Sequence, residues 1–131
     1  MHHIILLVVF FLFSCQNQSS KEETDFDSFF QKYRSDSVFQ VNHIKFPLKC
    51  FYIDETEDTT INFTEKKDWS FDDFQNNTQS QYDQYEFVKN AISSNVVSYE
   101  MKGIDNGISV SYKFKLENQK WILIEIEDAS F

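Results

Sequence analysis

The acidic side chain best suited to chemistry is Glu125. It lies in Trp121-Ile-Leu-Ile-Glu-Ile126, a run apolar on both faces, and shares strand parity with Trp121 and Leu123. Neighbours that exclude water penalise a carboxylate and favour its protonated form, which suits a group that passes protons near neutrality. The plainer alternative has Glu125 pointing to solvent near a strand end, loosely paired with Lys113 or Lys115. No second catalytic group is recognisable beside it. An acid–base enzyme of isomerase or dehydratase type is therefore the second choice, and a non-catalytic ligand- or protein-binding domain the first.

Other reactive residue types point to less. Asp54, Thr56, Asp58, Thr60, Asn62 and Glu65 can be laid on the oxygen-ligand spacing of a calcium loop. Thr59, however, stands where such a loop needs glycine for its sharp turn, and the flanks read as strands rather than helices. A solvated acidic hairpin accounts for the segment better. His43 and one thiol fall short of any zinc set, because His2 and His3 belong to the N-terminal leader. His43 reads as a partly exposed residue at a strand entrance. No metal and no cofactor is expected. Cys50 sits in the apolar run Phe46-Pro-Leu-Lys-Cys-Phe-Tyr-Ile53 and reads as a small buried hydrophobe.

Aromatic side chains are abundant. Phe10, Phe11 and Phe13 fall in the leader, which leaves twelve of the fifteen phenylalanines for the rest of the chain, with two tryptophans and six tyrosines. Most of them must fill the space between helix and sheet. The concave mouth of such a sheet is where a small apolar ligand would enter. Trp69, Phe71, Tyr112 and Phe114 are the candidate lining.

The first residues carry an address. Ile4 to Phe13 is continuously apolar but only ten residues long, about half of what a membrane-spanning helix needs. That is the length of a signal-peptide core. Its end, Leu12-Phe13-Ser14-Cys15, looks like a bacterial lipobox, although His2 and His3 stand where lysine or arginine is usual. The resemblance implies cleavage after Ser14 and acyl chains on Cys15, which would hold the chain to a membrane of the cell envelope, the outer membrane being the expected one. Residues 1–14 are then the signal peptide, 15–23 the lipidated cysteine with a flexible polar tether, and 24–131 a single α+β domain. With Cys15 committed to lipid, Cys50 has no disulfide partner.

A formal charge of −9 argues against nucleic acid, whose phosphates need a basic surface. It also argues against electrostatic docking on anionic lipid, so acyl chains would have to do the holding. A small apolar ligand or another envelope protein is the remaining kind of partner.

These residues need elements to position them. Thr24-Asp-Phe-Asp27 resembles a capping box, and Phe26, Phe29, Phe30 and Tyr33 recur at helical spacing, predicting a helix over roughly 25–35. A second short helical turn begins in Ser35-Asp-Ser-Val-Phe-Gln40. The run 44–53 reads as a strand, and Pro47 puts it, or its start, at an edge. Asp54 to Asp58 reads as a turn, 59–65 as a returning strand, 67–71 as a third, and 75–81 as a polar loop. Residues 82–94 are ambiguous between the two periods and lean toward a short helix. Val97, Tyr99 and Met101 alternate with polar residues, as do Ile108, Val110, Tyr112, Phe114 and Leu116, and the run 121–126 completes a three-stranded C-terminal antiparallel meander. The fold class is α+β, an N-terminal helix packed on a curved antiparallel sheet.

That order is similar to the nuclear-transport-factor-two-like, or cystatin-like, superfold. Phe26-Asp-Ser-Phe-Phe30, Asp36-Ser-Val-Phe-Gln40 with Ile44-Lys-Phe-Pro-Leu48, and Lys120-Trp-Ile-Leu123 with Ile126-Glu-Asp128 resemble a Bacteroidetes lipoprotein family of unknown function. The resemblance spans most of the chain after Cys15. It implies the fold and an envelope location but no activity, since the superfold hosts isomerases, dehydratases and silent binding modules alike.

Overall fold

The structure is a computed structural model that describes residues 24–75 and 84–131. The expected signal peptide, Cys15, the tether and most of the 75–81 loop lie outside the described residues.

Among the described residues two short helices come first, α1 (Phe26–Tyr33) and α2 (Ser37–Asn42), in place of one longer helix and a turn. The cap of α1 is Asp25 rather than Thr24: its carboxylate accepts from the Ser28 amide at 3.0 Å and from the Ser28 hydroxyl at 2.9 Å. Asp25 wins because Ser28 offers two donors to one acceptor, while the Thr24 carbonyl accepts from the Trp121 indole at 3.0 Å. Asp36 caps α2 in the same way, accepting from the Phe39 amide.

Six strands follow: β1 (Ile44–Ile53), β2 (Thr59–Thr64), β3 (Tyr85–Ser93), β4 (Val96–Gly103), β5 (Ser109–Glu117) and β6 (Lys120–Asp128). Their order in the one sheet is β2-β1-β6-β5-β4-β3. The expected all-antiparallel sheet is corrected: β1 runs parallel to β6, so the sheet is mixed. The expected C-terminal run of three strands is a run of four, because 85–93 is a strand and not a helix. Tyr85, Phe87, Val88 and Ile92 favour extended backbone, and the full ladder with β4 overrides the mixed local pattern. Residues 66–68 form a 3-10 turn where a third strand was expected, and 69–75 continues as irregular chain.

Pro47 does not put the whole strand at an edge, since β1 lies between β2 and β6, but it does fall in the strand's start, which has no β2 partner. It is tolerated there because pairing with β2 begins only at Leu48 and pairing with β6 is irregular between Ile44 and Lys49. No ladder hydrogen bond is asked of a residue without an N–H.

The core lies between α1 and one face of the sheet. Phe26, Phe29, Phe30 and Tyr33 are all buried, and each meets Phe114 of β5 edge-on, with ring centroids 5.2–5.9 Å apart. Such edge-on pairs add about 0.5–1.5 kcal/mol each beyond the area they bury. Ile44, Leu48, Cys50, Val97, Tyr112, Trp121 and Leu123 complete the sheet's side of the core. Cys50 is thus a buried hydrophobe, as its setting predicts. The hairpin between β5 and β6 turns on Asn118 and Gln119, both with positive φ (48° and 64°), the backbone of a two-residue turn matched to strand twist.

Candidate functional site

On the helix side, a polar clamp holds the 69–74 segment against the core. Gln40, fully buried on α2, donates to the Tyr33 carbonyl at 3.1 Å and to the Asp72 carbonyl at 2.6 Å. Its oxygen accepts from the Trp69 indole at 3.1 Å and from the Asp72 amide at 3.0 Å. The Asp72 carboxylate in turn accepts from the Phe74 amide and from the Tyr112 hydroxyl at 3.2 Å. All of the amide's hydrogen-bonding capacity is used, which is what makes a buried glutamine tolerable.

This clamp disposes of the four aromatic candidates in different ways. Trp69 and Tyr112 are joined through it, Trp69 also meeting Phe46 edge-on. Phe114 is fully enclosed in the core, and Phe71 stands exposed on the loop. The four do not come together around a common space. Phe74 fills the space over Tyr112, with ring centroids 4.8 Å apart. Gln40, Asp72 and Phe74 were not singled out from the sequence. Three polar or aromatic residues without regular spacing carry no period, and only the tertiary fold joins positions thirty residues apart.

Beside the clamp, the hydroxyl of Tyr33 is buried with no hydrogen-bond partner among the described residues. Burial pushes its ionisation well above the ordinary tyrosine value, and the charges of Asp72 and Tyr112 add to this. Burial raises Tyr112 too, with Asp72 reinforcing the effect.

Glu125 is on the other side of the sheet. The register between β5 and β6 slips so that Lys113 pairs with Glu125 while Phe114 pairs with Leu123, leaving Ile124 as the extra residue of a bulge. One inserted residue reverses the alternation that follows it. Trp121 and Leu123 therefore face the core, whereas Glu125 joins Asn90, Ser98, Glu100, Ser111, Lys113 and Glu127 around a recess of about 220 Å³ on the face away from the helices. Its carboxylate is ion-paired with Lys113. The parity with Trp121 and Leu123 expected from the sequence is overturned by that bulge.

The same face carries a hydrogen bond of 2.8 Å between Ser98 and Ser111 and an ion pair of 3.1 Å between Glu100 and Lys102. Burial works against the ionised Glu100, but hydrogen bonds from Lys102, Asn90 and Ser98 outweigh it and hold the group below its ordinary value.

A larger recess, about 590 Å³, opens where the C-terminus of α1 meets β3 and β4. Phe87 and Tyr99 stack there at 5.3 Å with Phe74 behind them, and Arg34 and Glu86 supply charge. Arg34 is the chain's one arginine, and it makes no ion pair among the described residues. Burial raises the ionisation of Tyr99, with Arg34 acting in the opposite sense.

The calcium-loop residues fold as a hairpin turn. Asp54 accepts from the Thr56 amide, the Thr56 hydroxyl and the Asp58 amide at 2.8, 2.6 and 3.1 Å, which, Thr56 first, holds its carboxyl below the usual range. Thr60 and Asn62 belong to β2. Among the described residues no group of three or more His, Cys, Asp and Glu is placed to hold a metal ion. His43, half-buried before β1, stacks on Phe39 at 3.9 Å. No described helix is long and apolar enough to cross a membrane.

Known proteins place the fold. A nuclear-transport-factor-two-like protein of Bacteroides fragilis superposes with a TM-score of 0.60 at 24% identity over 82% of this chain and 47% of its own. A cystatin-like protein of Bacteroides caccae gives 0.58 at 20% identity over 79% and 74%, and a protein of Bacteroides uniformis gives 0.56 at 21% over 78% and 74%. This chain thus spans about half the length of the B. fragilis protein. At these identities the likeness shows the fold alone, which is nuclear-transport-factor-two-like, or cystatin-like. Among curated proteins none matches. The model of a family described as a domain of unknown function, DUF4348, matches residues 7–128, and the chain belongs to that family.

Proposed function

We propose that this is a lipid-anchored cell-envelope protein whose domain binds a small ligand or a protein partner and performs no chemistry of its own. The observation that carries the non-catalytic half is the place of Glu125. The acid–base alternative needs that carboxyl desolvated beside Trp121 and Leu123, and the Ile124 bulge sets it on the opposite face against Lys113. The helix-side space that a cavity enzyme would use is occupied by Phe74, Phe114 and the Gln40 clamp. Of the open places, the recess beside Arg34 suits a small ligand best, having stacked aromatic walls and a cation. The envelope half of the reading rests on Leu12-Phe13-Ser14-Cys15.

The experiment is mass spectrometry of whatever co-purifies with the full chain from its membrane fraction, alongside the Cys15→Ser variant. The reading expects acyl chains on Cys15, loss of membrane partitioning in Cys15→Ser, and a bound molecule or protein that Arg34→Gln or Tyr99→Ala releases. Turnover of a co-purified compound that is abolished by Glu125→Gln would instead establish the enzyme.

A further inference from the structure

Strand β2 is one edge of the sheet, and among the described residues it carries no charge, proline or bulge of the kind that keeps edges from pairing. From Thr59 to Thr64 it reads Thr-Thr-Ile-Asn-Phe-Thr, with no charge and no proline. Among the described residues it is paired only on its β1 side, so a row of backbone donors and acceptors faces outward. Ile61 and Phe63 are 47% and 61% exposed. They lie on the face away from the helices: Phe63 pairs with Lys49 and Ile61 with Phe51, which in turn neighbour Glu125 and Glu127. The opposite edge, β3, is different, carrying Glu86 and Lys89, the latter ion-paired with Asp27 at 2.7 Å.

The residues around β2 name what would cover it. Glu57 and Asp58 precede the strand, Lys66 and Lys67 follow it, and all four are exposed. Neither lysine makes an ion pair among the described residues. A second β2 laid antiparallel, with the two-fold axis at Asn62, brings Ile61 opposite Phe63 of the other copy on one face and Thr60 opposite Thr64. At the strand's ends the same register brings Asp58 toward Lys66 and Glu57 toward Lys67. A parallel pair would instead bring acid to acid and base to base. An isologous contact of this kind consumes both β2 edges and leaves only the charged β3 edges outward, so growth stops at two copies. We propose that β2 is a self-recognition edge through which two copies of this chain form one continuous sheet.

The test uses the full chain in its own membranes. In a Cys50→Ala background, since Cys50 is the cross-strand partner of Asn62, Asn62→Cys should be joined to its counterpart by a short bis-maleimide, giving a species of twice the mass of the unlinked protein. Asn90→Cys, exposed on the opposite edge, should not. Adding Ile61→Lys and Phe63→Lys should abolish the linked dimer. Lys66→Glu with Lys67→Glu should weaken it, and Glu57→Lys with Asp58→Lys should then restore it. Apart from Cys50, all these side chains are exposed, and circular dichroism checks that each variant folds. Linking at Asn62 no greater than at Asn90, linking to a protein of another mass, or indifference to the Ile61 and Phe63 changes would each overturn the proposal.

Discussion

Leu123 and Glu125 are two residues apart on β6 and face opposite sides of the sheet. Leu123 is fully buried in the core, while Glu125 is ion-paired with Lys113 across the strand on the open face. The whole difference is one residue, Ile124, which has no partner on β5. A bulge of this kind redirects side chains without disturbing the strand as a whole.

Glu125→Gln should therefore do little. With both partners part-exposed, the change should alter stability by at most about 1 kcal/mol, and by less at high salt. Denaturant melts at low and high ionic strength check this. A stabilisation by the neutral side chain that persists in salt would place the carboxyl in an apolar setting after all.

Much of the fold was legible in the sequence. The α1 stripe of Phe26, Phe29, Phe30 and Tyr33 and the β5 alternation at Val110, Tyr112, Phe114 and Leu116 are strong periods, and both face the core as expected. What escaped was whatever only pairing decides. Residues 85–93 mix Lys89, Asn90 and Ala91 into an apolar pattern, so β4 and not local period makes them a strand. The parallel contact of β1 with β6 joins segments some seventy residues apart and leaves no local mark. At the site, alternation counted correctly along 121–126 still put Glu125 on the wrong face, because a bulge is invisible to counting.

Replacement of Phe30 measures the aromatic core. Its ring lies 4.1 Å from Tyr99, 5.2 Å from Phe74 and 5.6 Å from Phe26, centroid to centroid. Phe30→Ala should cost about 3–5 kcal/mol, enough to unfold much of a domain of this size. Phe71→Ala, at an exposed ring, should stay within about 0.5 kcal/mol. Equal losses for the two in urea melts would contradict the core described above.

Gln40 supplies four of the hydrogen bonds that anchor the 69–74 segment and the end of α1. Gln40→Leu keeps similar volume but strips partners from the Trp69 indole, the Asp72 amide and the carbonyls of Tyr33 and Asp72. A loss on the order of 2–4 kcal/mol should follow, since buried groups left unpaired carry their desolvation cost. Tryptophan fluorescence should shift to the red as Trp69 loosens. Unchanged emission together with a loss below about 1 kcal/mol would show that the segment is held by other contacts.

Tyr33→Phe should have the opposite effect, and its sign changes nothing else in the core. The ring stays packed against Phe29, Phe30, Phe74 and Phe114, while the buried hydroxyl that has no partner among the described residues is removed. At neutral pH the variant should gain about 1 kcal/mol, the lower end of what an unsatisfied buried polar group costs. The alkaline limb provides a second reading. Burial raises the folded ionisation of Tyr33 well above its unfolded value, so its contribution is intact below about pH 10 and is lost as pH rises further, when the unfolded chain ionises and the folded one does not. Removing the hydroxyl should make that decline shallower by about 1.4 kcal/mol per pH unit. Tyr112, raised by burial in the same way, keeps part of the slope in the variant. Urea melts of both proteins from neutral to strongly alkaline pH provide the comparison. A variant that is less stable at neutrality and declines along the same alkaline slope would mean that the Tyr33 hydroxyl has a partner in solution.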